Sequence, residues 1–292
     1  MPSSSSVVVL GSLHYDIIVH GPGRPRKGET VTGKAWAPKC GGKGGNQAVS
    51  AARAGAPVQM IGAVGDDDFG KALLGNLVAN KVDTAALAVL PGENSGMSVA
   101  IFDSEGDYGA VIVSGSNLKI DPAGISGTGW DEGSWLVLQS EVPEAMNLAG
   151  ACQMQAAGGK VILNAAPARP VSQDLLDLVD ILVVNAIEAE MLAGTSVVET
   201  LDGAMDAAIK LLERSRAVVV TAGGEGCAYA DRSGARISIE AKKIVVASTH
   251  GAGDEFIGAL AAALWRGHTT EASLNVANEA AALLVSTPEG ER

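Results

Sequence analysis

Short runs of β-branched and aliphatic residues recur along the chain, separated by longer stretches whose apolar positions fall at helical spacing. Val7–Leu10 is apolar throughout, the pattern of a strand buried on both faces, and it leads into Gly11-Ser-Leu-His-Tyr-Asp16. Residues 58–64, 135–138, 161–163, 181–184 and Ala217–Thr221 repeat that pattern. Helices are predicted over 46–55, 69–80, 143–157, 171–180, 187–214, 254–266 and 271–286. Strands alternating with helices predict a mostly parallel sheet covered on both faces. Three stretches break the layering. Residues 20–40, rich in Gly, Pro, Lys and Arg, read as a loop. Met97–Phe102, a turn at 103–106 and Tyr108–Val113 read as a β-hairpin, and residues 227–230 with 236–239 as a second. The first hairpin and the 20–40 segment are expected to meet in a small β-sheet lid drawn from about 13–40 and 95–115. No internal repeat or interdomain linker is visible, so residues 1–292 read as a single Rossmann-like α/β domain carrying that lid.

Composition sharpens this picture. Hydrophobic residues make up 47% of the chain but aromatics only 3%, which favours small-residue helices packed tightly on a sheet over an all-β fold. The net charge of −12 repels a polyphosphate backbone and argues against nucleic acid as a partner, while a locally positive pocket could still take a nucleotide. Cys40, Cys152 and Cys227 are odd in number and lack metal spacing, so buried free thiols in a reducing compartment are expected. The amino terminus has no basic stretch of a signal peptide, and no apolar run is long enough to span a membrane. A cytoplasmic protein without a membrane partner is the expectation.

The alternation suggests a nucleotide fold, yet the common signatures are missing. No Gly-x-Gly-x-x-Gly follows the first strand, and no Walker, Gly-x-Ser-x-Gly or His-x-x-x-His motif occurs. Two glycine-rich stretches remain. Ser248-Thr-His-Gly-Ala-Gly-Asp254 joins a short apolar run to a helix in which Ile257, Leu260, Ala261 and Leu264 share a face. Asp254 there fits a helix cap. The bare N–H groups of Gly251, Ala252 and Gly253 equally fit an anion, with Asp254 beside it as a proton acceptor. Gly41-Gly-Lys-Gly-Gly-Asn-Gln-Ala48 sets a cation, Lys43, and an amide, Asn46, among glycines at another helix start, a natural contact for a polyhydroxy or phosphate group.

Taken together, these two stretches resemble the signature regions of the PfkB/ribokinase family of carbohydrate kinases. The resemblance covers nearly the whole chain in order. Gly28-Glu-Thr-Val-Thr-Gly33, Gly62-Ala-Val-Gly-Asp-Asp67, Asn164-Ala-Ala-Pro-Ala-Arg169, Asn185-Ala-Ile-Glu188 and Thr221-Ala-Gly-Gly-Glu-Gly226 are similar to further family segments. It implies ATP-dependent phosphorylation of a sugar hydroxymethyl group, with ribose favoured, and a homodimer formed through the lid. Asp254 is then the catalytic base and Gly251, Ala252 and Gly253 the anion hole. Asp16, Gly42, Lys43, Asn46 and Glu141 become sugar contacts. Asn185, Thr221, Gly223, Gly226 and Asn278 lie on the nucleotide side, and Glu188 serves Mg²⁺ through water.

Three features depart from the family pattern. Ser248 stands where an acid helps bind an activating monovalent cation, Glu255 follows the base where a small or neutral residue is usual, and the chain stops at Arg292 before the segment that supplies further cation ligands. Weak dependence on K⁺ is therefore expected. A kinase of another sugar or a nucleoside, and a sugar- or nucleotide-binding protein of little activity, are the alternatives that the sequence leaves open.

Overall fold

The computed structural model of the chain describes residues 6–103, 108–122, 125, 130–194 and 198–288. The turn read at 103–106 falls largely outside them, as does the chain end at Arg292. The main sheet contains β1 (Val7–Leu10), β4 (Val58–Gly65), β5 (Leu87–Leu90), β8 (Trp135–Gln139), β9 (Lys160–Asn164), β10 (Ile181–Asn185), β11 (Ala217–Thr221), β12 (Gly226–Asp231) and β13 (Arg236–Glu240). A separate small sheet is built from β2 (His14–His20), β3 (Ala35–Gly41), β6 (Met97–Phe102) and β7 (Tyr108–Val113).

The main sheet runs β13-β12-β11-β10-β9-β8-β1-β4-β5. Pairing is parallel from β5 to β11 and antiparallel at β12 and β13. Period-2 alternation divides its side chains between two cores. Val7, Val9, Val137, Ile162, Val183 and Val219 face α1 (Lys43–Arg53), α2 (Asp68–Ala79), α7 (Ala252–Trp265) and α8 (Thr270–Ser286). Val8, Leu10, Leu138, Leu163, Val184 and Val220 face α3 (Glu144–Ala156), α4 (Gln173–Leu176), α5 (Ala186–Ala193) and α6 (Leu201–Leu211). Strands buried on both faces are why these segments read as unbroken apolar runs. The chain lays down β4 and β5 on one side of β1, then β8 to β11 on the other. The loops leaving the carboxyl ends of β1 and β8 therefore diverge, and a crevice opens at that switch point.

The expected architecture is observed, with local corrections. Residues 35–40 are not loop: β3 occupies Ala35–Gly41, and Pro38 is accommodated because β3 is an edge strand of the small sheet. The predicted helix over 187–214 is two helices, because Gly194 takes the left-handed conformation (φ 60°) and ends α5. The 171–180 helix contracts to the single turn of α4. β5, a half-exposed edge strand of four residues, has no clear pattern in the sequence. Helix α1 starts at Lys43 rather than Asn46. Of the thiols, Cys227 is buried, Cys40 is half-buried and Cys152 is exposed. Among the described residues no helix is long and apolar enough to cross a membrane.

One packing contact positions the crevice chemistry. Helices α1 and α7 cross closely because Gly258 has no side chain: a Cβ there would come within 2.6 Å of the Gln47 carbonyl oxygen. Ser50 on α1 returns the contact by donating from Oγ to the Glu255 carbonyl oxygen, 2.9 Å away. Gly258→Ala is expected to push the helices apart and cost about 1–3 kcal/mol of stability. Urea unfolding of the purified variant measures this, and an unchanged midpoint would show that the crossing is looser than its geometry.

Candidate active site

Helix α7 begins without a side-chain cap: its N-cap is Gly251, in the left-handed region (φ 82°), and the Ala252 N–H reaches the Thr249 carbonyl oxygen at 3.3 Å. Asp254 is thus not the cap. It lies within the first turn, and its carboxylate turns to α1 instead: Asn46 Nδ2 donates to Oδ2 and Gln47 Nε2 to Oδ1, both at 2.9 Å. Burial pushes the Asp254 carboxyl above the usual carboxylate range, and Glu141 adds to this, while Lys43 and the two amide donors work against it. The result is a desolvated carboxylate beside uncapped helix N–H groups.

The start of α1 is organised by a residue far away in sequence. Gly42, the N-cap of α1, has a positive φ (84°) and offers no side chain. Glu141, just beyond β8, supplies the acceptor: its Oε2 takes the Lys43 N–H at 3.0 Å and the Ser12 hydroxyl, with His14 Nδ1 at 3.8 Å. Two pairs of the sequence-predicted residues, Glu141 with Lys43 and Asn46 with Asp254, therefore meet within the first turn of α1.

Asp16 enters from the small sheet. It sits on β2, opposite Lys39 of β3 and Ser98 of β6, and the Ser98 hydroxyl donates to it. Burial raises its carboxyl, opposed by Ser98 and by the charges of His14, His250 and Lys39. Ile18 and Lys39, on the same face as Asp16, line a cavity of about 450 Å³ that also meets Asn46, His250, Gly251 and Asp254. The small sheet thus roofs the crevice, as its reading as a lid required.

A second, smaller cavity of about 190 Å³ continues past Gly251, Ala252, Gly253 and Asp254 to Lys43, Asn185, Glu188 and Thr221. Asn185 and Glu188 form a capping box at the start of α5, with Glu188 N donating to Asn185 Oδ1 (2.8 Å) and Asn185 N to Glu188 Oε2 (2.9 Å). Burial raises the Glu188 carboxyl and the Asp254 charge adds to this, while the Asn185 N–H and the Lys43 charge lower it. A third cavity of about 650 Å³ follows, lined by Gly223, Lys242, Lys243, Ile244, Thr249, Ala252 and Asn278. The Asn278 amide is engaged there, donating to the Glu240 carbonyl oxygen at 2.8 Å. Gly226 lines none of the three cavities; at φ 118° it opens β12, where a Cβ would strike the backbone of β13.

Gly251 and Asp254 border the first two cavities, and Thr249 and Ala252 the last two, so one trough passes around the amino end of α7. Such a trough can hold an alcohol on one side of Asp254 and a polyanion on the other. A scan against family models matches residues 4–291 to the pfkB family carbohydrate kinases. The chain belongs to the pfkB family of carbohydrate kinases. Within it, the chain is 35% identical to a ribokinase from Bacillus subtilis over 96% of this chain and 92% of that one. It is 32% identical to a deoxyribokinase from Salmonella typhi over 87% and 84%. Among solved pfkB-like structures, Arabidopsis thaliana ribokinase complexed with ribose and ATP superposes with a TM-score of 0.87 at 30% identity, covering 97% of this chain and 93% of the other.

Sequence reasoning missed several members of the site. Gln47 sits beside Asn46 in the glycine-rich motif and could have been read with it. Thr249 lies within the Ser248–Asp254 motif and could have been read with it, whereas Ser12, Ser98 and Lys39 reach the site through strand register or loop path, which no local signal reports.

Proposed function

We propose that this chain is an ATP-dependent sugar kinase acting on the 5-hydroxyl of D-ribose. The observation that carries this reading is the meeting of the first two cavities at Asp254 and Gly251. Here the acceptor hydroxyl would lie against the Asp254 carboxylate. As the hydroxyl attacks the γ-phosphorus, Asp254 takes its proton. The N–H groups of Gly251, Ala252 and Gly253 and the positive end of the α7 dipole would stabilise charge on the transferring phosphoryl oxygens. Lys43 adds a cation on the same side.

For the sugar, Asp16 is suited to two adjacent hydroxyls, and Gly42, Lys43, Asn46 and Glu141 would contact its remaining edge. ATP fits the second and third cavities, with phosphates near Asn185 and Thr221 and the base towards Gly223, Lys242 and Asn278. Gly226 would shape this side through its turn rather than by contact. The donor set also fits Mg²⁺, which takes one or two carboxylates and keeps much of its water shell. Glu188 would hold it, and the ion when bound would offset phosphate charge.

A monovalent cation does not fit in the same way. Ser248 brings no charge, and the Val285 carbonyl oxygen at the end of α8 already accepts from Ala247 N (2.8 Å) and Ser248 N (3.2 Å). These bonds tie the loop before Gly251 directly to α8. The small sheet, for its part, has an outer face unlike its inner one. Cross-strand register aligns Trp36, Val19 and Ile101 in one row and Pro38, Ile17, Val99 and Val111 in the next. Trp36 and Val111 are each 68% exposed. A second copy of this chain, bringing the same face, would bury it isologously.

Three outcomes follow. Purified enzyme should release ADP with D-ribose ahead of 2-deoxyribose, hexoses and nucleosides, and Asp254→Asn should reduce kcat by about 10²- to 10⁴-fold while leaving ATP binding intact. A panel led by another acceptor would reassign the substrate, binding without turnover would favour a binding protein, and full activity in Asp254→Asn would remove the base. At matched ionic strength, kcat should be the same in K⁺, Na⁺ and a bulky organic cation; saturable activation by K⁺ would contradict the loop tether. The protein should sediment as a dimer, and Val111→Glu should yield monomers. A monomeric parent protein would leave the apolar face to some other role.

A further inference from the structure

The carboxylate of Asp254 is held from behind by side chains that touch neither cavity. Gln47 is fully buried on α1. Its Nε2 donates to Asp254 Oδ1 at 2.9 Å and faces Asn164 Oδ1 at 3.2 Å, while its Oε1 accepts from Gln139 Nε2 at 2.8 Å. Gln139, at the end of β8, is also fully buried. Among the described residues its Oε1 finds no partner, and it fills the place that a Cβ on Gly11 would take.

The direction of each amide is fixed by the next. Asn164 points its nitrogen at the Val183 carbonyl oxygen (3.4 Å), so its oxygen is what Gln47 meets. A reversed Gln47 would set its oxygen against both the Asn164 oxygen and the Asp254 carboxylate, and its nitrogen against that of Gln139. Only one arrangement avoids these clashes, and it ends in an N–H aimed at Asp254. The orphaned Gln139 oxygen is the cost of that polarity, since Gln139 must offer its nitrogen inward. Two fully buried glutamines with a directional chain and one unsatisfied end are an expensive way to fill a core that apolar side chains could fill.

We infer that Gln47 and Gln139 form an amide relay that positions Asp254 and keeps it a proton acceptor. Gln47 presents a donor to one carboxylate oxygen and so favours the ionised form, while Gln139 stops Gln47 from turning. Asn46 does the same for the other oxygen from the cavity side. Neither glutamine meets the substrate; both act through Asp254, as positioning residues. The inference rests on the reading of this site as a sugar kinase.

The test is the pH dependence of kcat in Gln47→Leu, Gln47→Glu and Gln139→Met, with thermal melts as controls of folding. Asp254 also feels the charges of Lys43 and Glu141 and is felt by Glu188 and Glu255, all of which the variants leave in place; a base loses activity as pH falls through its pKa. Losing the Gln47 donor, by substitution or by its turning away, raises that pKa, so the acidic limb should move to higher pH in all three variants. It should move furthest in Gln47→Glu, which adds a carboxylate, and least in Gln139→Met, which only frees Gln47 to turn. At mildly acidic pH kcat of Gln47→Leu should fall about tenfold or more relative to the parent enzyme, with part of the loss recovered at mildly alkaline pH. KM for the sugar should change little. Folded Gln47 variants whose pH profile matches the parent enzyme, with only a lowered melting temperature, would overturn the relay and leave the glutamines as packing. If Gln47→Leu does not fold, the nearly isosteric Gln47→Glu decides in the same way, and Gln139→Met decides if neither Gln47 variant folds. A parent enzyme that phosphorylates no alcohol, or an Asp254→Asn enzyme that keeps its rate, would instead overturn the kinase reading itself.

Discussion

Everything at this site depends on the close crossing of α1 and α7. Asn46 and Gln47 belong to one helix and Asp254 to the other, more than two hundred positions apart in the chain. They meet because Gly258 lets the α7 backbone reach the Gln47 carbonyl and Ser50 pins the two helices together. Both helices also pack on the same face of the main sheet through Ala48, Val49, Ile257, Leu260 and Ala261. Small side chains are what allow this approach, which gives the alanine- and glycine-rich composition a structural purpose. A carboxylate taken out of water needs donors at fixed distances, and only a rigid helix pair can provide them at both oxygens.

The electrostatics follow from the same constraint. A chain of net charge −12 must accommodate a polyanion if it uses ATP. Among the described residues, Lys43 is the cationic side chain that borders the second cavity. Lys242 and Lys243 line the third cavity, and backbone adds positive potential through the amino end of α7 and the glycine turn that leads to it. Acids nearby are restrained by hydrogen bonds. Glu141 accepts from Ser12 and Lys43 N–H, Asp16 from Ser98, and Glu188 from the Asn185 N–H. Dipoles fixed in place require no reorganisation when charge develops, which suits a reaction whose transition state spreads charge over phosphoryl oxygens.

Much of this was legible in the sequence for physical reasons. Strands buried on both faces announce themselves as apolar runs, and both glycine-rich helix starts stood out: at Gly42 and Gly44 a side chain would obstruct the backbone of residues 11–14, and Gly251 takes a left-handed conformation (φ 82°). Other features depend on information that a linear pattern does not carry. β3 lacks alternation and contains Pro38, and it exists because β2 offers it an edge. Nothing in the 187–214 pattern tells a helical glycine from one that turns left-handed, yet Gly194 does so. Asp254 had the position of a cap by local rules, but α7 starts earlier, at Gly251, and the Asp254 carboxylate turns to α1. The pairing of Asp16 with Ser98 is a matter of strand register over 82 positions. Gln47 was overlooked for a different reason: its neighbour Asn46 carried the more familiar chemistry, and a glutamine in a helix has many ordinary explanations.

The two sheets divide the work between them. The main sheet and its helices fix Asp254, the amino end of α7 and Glu188, all held by bonds within the larger body. The small sheet carries Asp16 and Lys39 and is joined to that body at β1 through residues 11–13 and at α1 through Gly42. Leu13 is tied down at that joint, its N–H and carbonyl both bonded to the Asn117 side chain at 2.9 and 2.8 Å. The roof is thus anchored at its root, while its inner face is free to differ without disturbing the base. Under the proposed function, the hydroxyls recognised by Asp16 are set on the small sheet and the phosphoryl chemistry on the large one. Relatives named for ribose and for deoxyribose at about the same identity are what such a division allows, because the acceptor can change with a few residues of the roof while the helix pair beneath it stays the same.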